Sequence, residues 1–234
     1  MRNFTKVYFV LDGKPNNRLN IDEEYKGNRR IETDDANEIS YWENFQLQKR
    51  LIIEMVKMSL PVTTVYHPLY EADDIIYHLV KSGVSNSITI VSSDTDFIQI
   101  INEFPKKVKL FNPLTKSYRE NTSYDYVSWK SMVGDRTDNI PGVPRIGKKT
   151  ADKILSKDGE LEARLLNPIF KEAYDKSYSL IKLDDMMSEK DNILFYSPGL
   201  DRGMVKSIIE MMNLSSLLSE QFMEKFFDTF EELL

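Results

Sequence analysis

The chain has 234 residues, no cysteine, two histidines and a formal charge of −6, with 41% apolar and 29% charged residues. That length supports one large domain, or a domain with an appendage, around a full core. The absence of cysteine excludes disulfides and thiolate metal sites, and His67 and His78 alone leave any metal mainly to oxygen ligands.

No apolar run approaches a bilayer span and the first residues lack a signal-peptide pattern, so a cytoplasmic location is expected. KVYFVLD, Lys6 to Asp12, reads as a buried strand ending on a carboxylate, and a polar stretch follows from Gly13 to Asn37. Apolar positions at Phe45, Leu47, Leu51, Ile52, Met55 and Met58 predict an amphipathic helix stopped by Pro61. VTTVYH is β-branched enough for a second strand, and Glu71 to Lys81 reads as a short helix closing at Gly83. SITIVSS is a third strand, Phe97 to Ile101 a helix and KVKLFNP a fourth strand. From Ser123 the pattern is helical, with no convincing strand. The alternation predicts an α/β fold with a mostly parallel sheet over residues 1–122, then a helical region over 123–234.

In such sheets ligands gather beyond the carboxyl ends of the strands. Acids stand there: Asp12 after strand one, Glu71, Asp73 and Asp74 after strand two, Asp94 and Asp96 after strand three. Asp135 and Asp138 would be brought up by the helical region. Singly, each reads as a helix-start charge, a cap or a turn residue. Together, eight converging carboxylates repel one another unless their pKa values rise or cations bind among them, and hard divalent ions suit oxygen ligands. The net charge opposes a nucleic-acid partner, but its distribution does not. Residues 141–157 carry Arg145, Lys148, Lys149, Lys153 and Lys157 against Asp152 alone, while 201–234 hold seven acids and three bases. Setting the eight acids aside leaves 29 against 31 bases.

EADD, SSDTDF and GDRTDNIPGVPRIGKKTADKIL, with EYKGNR upstream, occur here in an order and spacing that resembles the 5′ nuclease family. That family comprises the 5′-3′ exonuclease domain of bacterial DNA polymerase I and the bacteriophage flap endonucleases. The resemblance runs from about Val7 to Leu155 and continues weakly beyond. It implies a PIN-like fold with a helix-turn-helix of the helix-three-turn-helix type at 134–156, and two Mg²⁺ ions, replaceable by Mn²⁺. By similarity Asp12, Glu71 and Asp73 would hold the first ion with Asp74 close by, and Asp94, Asp96, Asp135 and Asp138 the second. The turn from Pro141 through Gly142, Val143, Arg145, Ile146 and Gly147 to Lys148, Lys149 and Thr150 would grip duplex phosphates, with K⁺ on its carbonyls. Glycines permit close backbone approach, and amides at a helix start favour phosphate. Tyr25 would stack on a base near the cut, Lys26 and Arg29 would neutralise the scissile phosphate with Arg18 assisting, and Asn28 to Asn44 would frame an arch for a single-stranded 5′ end. The implied reaction is phosphodiester hydrolysis leaving a 5′-phosphate and a 3′-hydroxyl, on DNA with 5′ ends, flaps or branches; the sequence does not distinguish DNA from RNA–DNA hybrids as the substrate.

Family members begin with an earlier strand ending in another aspartate, whereas this chain starts at the next one. The expectation is therefore a fragment, half of a split protein completed by a separate polypeptide, or a module that binds branched DNA and cuts poorly. A haloacid dehalogenase-type phosphatase with Asp94 as nucleophile is a further alternative. Ile98 and the unexplained PGVPRIGKK oppose it. The apolar positions Leu217, Leu218, Phe222, Phe226, Phe227 and Phe230 read as core.

Overall fold

The computed structural model describes residues 4–29, 35–186 and 190–234. The chain divides into two compact units, one of Met1–Asp12, Ile31–His67 and Glu189–Leu234, the other of Gly13–Arg30 and Pro68–Ser188. Each unit draws on residues from both sides of position 122.

In the first unit β1 (Tyr8–Leu11) lies parallel to β2 (Thr63–Tyr66), with Tyr8 opposite Thr63 and Leu11 opposite Tyr66. Between them in sequence runs α2 (Ala36–Ser59), started by the Asp35 carboxylate accepting from the Asn37 and Glu38 amides at 2.8 and 3.3 Å. It stops at Leu60, whose extended backbone is what a following proline imposes. This helix begins nine residues before the apolar period becomes visible at Phe45, because the Asp35 cap rather than packing sets its start. The later part of the chain adds β6 (Leu194–Tyr196), antiparallel to β2, so the helical expectation after Ser123 is corrected by one short strand. Its three residues are all exposed and give no alternating pattern to read. The unit's core joins α2 and Val62, just before β2, to α9 (Arg202–Met211) and α10 (Glu220–Glu231) through Val56, Val205, Ile208, Met223 and Phe227, with Leu217, Leu218, Phe226 and Phe230 packed around them.

In the second unit β3 (Ile88–Val91) is parallel to β4 (Val108–Asn112), the neighbour the alternation predicts. β5 (Ser117–Arg119) folds back antiparallel on β4. The reversal is built by Asn112, whose side-chain oxygen accepts from the Leu114 and Thr115 amides, and by Lys116 at φ +53°. Around these strands lie α1 (Asn16–Leu19), α3 (Ala72–Lys81), α4 (Ile98–Glu103) and α5 (Tyr126–Val133), then α6 (Lys148–Leu155), α7 (Glu160–Leu165) and α8 (Pro168–Ile181). Ile90, Phe97, Ile100, Ile101, Val108 and Leu110 form one core of this unit. Met132, Val143, Ala151, Ile154, Phe170 and Tyr174 form another, which holds α5, α6 and α8 together. α8 opens with Asn167 capping Ile169 and Phe170 and with Pro168 in its first turn, where a missing N–H costs nothing. Among the described residues no helix is long and apolar enough to cross a membrane.

Candidate active site

The loop after α5 is fixed by its own backbone. Asp135 and Ile140 exchange both hydrogen bonds, at 2.8 and 2.7 Å, and the intervening turn closes with Asn139 at φ +59° and the Thr137 amide on the Asp135 carboxylate at 2.7 Å. Gly134 and Gly142, at φ +81° and +71°, pass each other at the foot of this turn. Val143 then returns to α5, its amide donating to Met132 at 2.9 Å. Asp135 and Asp138 are thereby carried on one rigid hairpin.

The EYKGNR segment docks on that hairpin. The Lys26 amide donates to the Asp138 carbonyl at 2.9 Å, the Asn28 amide group to the Arg136 carbonyl at 2.6 Å, and Arg29 Nε to the Thr137 carbonyl at 3.2 Å. Asn139 reciprocates by donating to the Glu24 carbonyl at 2.8 Å. The charged heads follow from this docking. Arg29 Nη2 pairs with Asp138, while Lys26 Nζ, from a backbone at φ +56°, pairs with Glu71 and lies 3.7 Å from Asp138.

Asp96, Asp135 and Asp138 each place a carboxylate oxygen within 4.8 Å of the others. Two unit charges at that spacing repel by about 3 to 4 kcal/mol for an effective dielectric near 20, so such a trio needs counter-charge. Part of it comes from Lys130, a buried residue on α5, whose Nζ pairs with Asp96 and lies 2.7 Å from Asp135. Burial lowers the Lys130 pKa, but Asp96 and Asp135 outweigh it and hold the ammonium above its usual range. Burial likewise pushes the Asp96 carboxyl up in spite of Lys130, whereas at Asp135 the bond to Lys130 overcomes burial and holds the carboxyl below its usual value. The shared partner thus leaves two neighbouring acids shifted in opposite directions.

A second station sits at the start of α3. Arg18 is 3% exposed and Asp74 fully buried; Arg18 Nη1 and Nη2 clasp both Asp74 oxygens, Nη2 at 2.8 Å. Nη1 also reaches Glu71 at 3.2 Å and Nε donates to the Leu180 carbonyl at 2.8 Å, while the Asp184 amide donates to Asp74 at 2.9 Å. Tyr25 joins the stations, its hydroxyl 2.9 Å from Glu71 and 3.3 Å from Asp138. Burial, then these two carboxylates, raises the phenol pKa well above its usual value. At 6% exposure the Tyr25 ring packs with Ile140, Leu180 and Ile181, so the expected base-stacking face is covered and its hydroxyl is the part that meets the acids.

The expected acids are therefore distributed. Asp96 and Asp135 share Lys130, Glu71 and Asp138 share Lys26 with Arg29 also on Asp138, and Asp74 is enclosed by Arg18, which reaches Glu71 as well. Asp73 is half-buried in the first turn of α3. Asp94 is exposed and its carboxylate accepts the Asp96 amide at 2.9 Å, which makes it the turn residue that orients Asp96. Asp12 is exposed and belongs to the other compact unit. The arch segment Asn28 to Asn44 lies partly outside the described residues, at 30–34, and from Ala36 it is the start of α2. Beyond the hairpin, Val143 is buried, Ile146 is partly buried, and Arg145, at φ +66°, Lys148 and Lys149 are exposed. Gly147 caps α6 without a side-chain bond, and the Thr150 and Ala151 amides turn back to its carbonyl. Lys130, Asn28 and Asn139 were not anticipated. The one signal for Lys130 was a lysine inside the otherwise apolar and small-polar run YVSWKSMV, five residues before Asp135.

The donor set at these stations is wholly carboxylate oxygen, crowded and partly enclosed, which fits a hard divalent ion. Residues 1–132 match the model of the 5′-3′ exonuclease N-terminal resolvase-like domain, and 122–195 that of the 5′-3′ exonuclease C-terminal SAM fold. DNA polymerase I of Lactococcus lactis subsp. cremoris is 29% identical over 98% of this chain, which spans 26% of that protein's length. The 5′-3′ exonuclease of Aquifex aeolicus is 30% identical over 75% of this chain and 66% of its own. Among solved structures, the bacteriophage T5 flap endonuclease in a pseudo-enzyme–product complex with DNA and metal ions superposes at a TM-score of 0.56 with 19% identity, covering 97% of this chain and 84% of that one. T5 5′-exonuclease with bound zinc matches equally, at 0.56 and 19%, over 98% and 84%. With both domain models matched in order along the chain, it belongs to the 5′-3′ exonuclease family.

Proposed function

We propose that this chain is a divalent-metal-dependent 5′-3′ exonuclease and 5′ flap endonuclease acting on DNA with 5′ ends, flaps or branches, and on RNA–DNA hybrids. The observation that carries the reading is the grouping of Asp96, Asp135 and Asp138 within 4.8 Å, edged by the cationic heads of Lys26, Arg29 and Lys130. Asp96, Asp135 and Asp138 would hold one Mg²⁺ or Mn²⁺, and Glu71 with Asp73 another. When bound, such ions lower the pKa of water and stabilise charge on a leaving oxygen. Lys26 and Arg29 reach the acids from partly exposed positions, so each can exchange a carboxylate for the scissile phosphate. Tyr25 and Arg18 keep Glu71 aimed while that exchange occurs. Lys148, Lys149 and the open amides at the start of α6 would hold duplex phosphates, with K⁺ on carbonyls of the 141–147 turn. The T5 complex with DNA and metal ions supports this assignment by fold.

A cytoplasmic location belongs to the same proposal, as does a separate polypeptide that adds a strand and a carboxylate. Its support is that β1 is an edge strand, with Phe9 exposed on it. The decisive experiment incubates the purified chain with 5′-flap and 5′-recessed duplexes, with and without Mg²⁺. Cleavage only with Mg²⁺, leaving 5′-phosphates, is expected. Binding without cutting at any Mg²⁺ or Mn²⁺ concentration would favour a structure-specific binding module instead. That second reading draws on the same cations, which already compensate the acids within the fold.

A further inference from the structure

Lys130 differs from the other cations around the acids. Its side chain is 8% exposed, against 21% for Lys26 and 51% for Arg29. Lys26 and Arg29 rise from a segment docked on the hairpin and have solvent to move into. Lys130 rises from the middle of α5, and its head contacts Asp96 and Asp135 at once. Those are two of the three acids that converge within 4.8 Å. A divalent ion held by the trio draws on two carboxylates that Lys130 already engages.

We infer that Lys130 is the resident counter-ion of this carboxylate cluster: its ammonium holds Asp96 and Asp135 together in the metal-free fold and is displaced from at least one of them when a divalent ion binds. The inference rests on the metal-dependent reading above. Its physical content is an exchange of one buried cation for another. A cluster left wholly uncompensated would drive its carboxylates apart or force them to take up protons. A lysine supplied from the same helix prevents that, and its single charge and flexible stem let it yield to a doubly charged ion. The exchange has two costs that can be measured separately: metal-free stability depends on Lys130, and divalent affinity is held down by it.

The test compares wild type with Lys130→Met, which keeps the stem and removes the charge, and with Lys130→Arg, which keeps the charge. Full-length, metal-free proteins are titrated with Mn²⁺ by calorimetry after circular dichroism has confirmed folding. Lys130→Met is expected to bind Mn²⁺ about tenfold more tightly or better, to have a lower metal-free melting temperature, and to gain more in melting temperature on saturation. Lys130→Arg is expected to bind no more tightly than wild type. Reductive methylation followed by mass spectrometry covers the case in which Lys130→Met fails to fold: in wild type, Lys130 should be protected without metal and modified with Mn²⁺ present. Unchanged or weaker Mn²⁺ affinity in a folded Lys130→Met, or equal protection of Lys130 in both states, would overturn the exchange while leaving the nuclease reading standing. Absence of Mn²⁺ binding by wild type and both variants would overturn the metal reading and the exchange with it.

Discussion

Gly134 and Gly142 lie against each other with no room for a side chain on either. A β-carbon on Gly134 would fall 2.5 Å from the Ile140 carbonyl oxygen, and one on Gly142 would fall 2.5 Å from the Gly134 nitrogen. The close pass sets where Asp135 and Asp138 stand, since both sit on the turn that the two glycines close. Gly142→Ala meets backbone atoms and a left-handed φ together, so a loss of about 3 kcal/mol is expected. Urea denaturation measures it, and a loss below about 1 kcal/mol would show that the crossing can open.

Arg18→Met strands the fully buried Asp74 carboxylate and should cost about 3 to 5 kcal/mol. The double variant Arg18→Met with Asp74→Asn removes the stranded charge and is expected to be more stable than the single one. The same denaturation experiment decides it, and a double variant less stable than Arg18→Met would sink the account.

Asp138→Asn keeps the shape of a residue on which Arg29, Lys26 and Tyr25 converge, but removes its charge. Cleavage of a 5′-flap substrate should fall at least about 100-fold. DNA affinity should hold or tighten, because a negative charge facing phosphate is gone. Gel-shift and cleavage assays on one preparation separate the two, and loss of binding would count against a metal-holding role.

Alkaline stability reports on Lys130. Its folded pKa lies above the ordinary 10.5, so its contribution is complete below about pH 10.5 and is lost as pH rises through the raised folded value. Tyr25, also raised, adds a loss of the same sign. Lys130→Met should therefore show a shallower fall of the urea midpoint with rising pH than wild type. Asp135, held low, works at the other end: its contribution is present above 3.8 and fades as pH falls through its lower folded value.

Lys148 and Lys149 are exposed at the start of α6. Replacing both with alanine should weaken duplex binding evenly across sequences and reduce the slope of log affinity against log salt by about 2. An unchanged slope would remove them from the phosphate grip.

Strands β1 to β4 were legible because each is a short apolar, aromatic or β-branched run bounded by turn residues. β5 and β6 were not, since three mostly exposed residues carry no period, and they exist through pairing with β4 and β2. At the site, Asp96, Asp135 and Asp138 were legible from motif spacing, and the structure brings them together. Lys130 was not, because a mid-helix lysine reads as solvated until the acids opposite it are known. Tyr25 was singled out for its ring, but a sequence cannot show that the ring is covered and that its hydroxyl reaches the acids.

The docking of EYKGNR on the hairpin is written largely in main chain. Glu24, Arg136 and Thr137 contribute carbonyls to it, and their side chains take no part in those bonds. Positions 24, 136 and 137 can therefore drift in composition, retuning the charge presented around the acids, while the clasp that aligns them is unchanged. Asn28 and Asn139 have no such freedom: each reads the opposite backbone with its amide, so their substitution would loosen the alignment without touching a single charge.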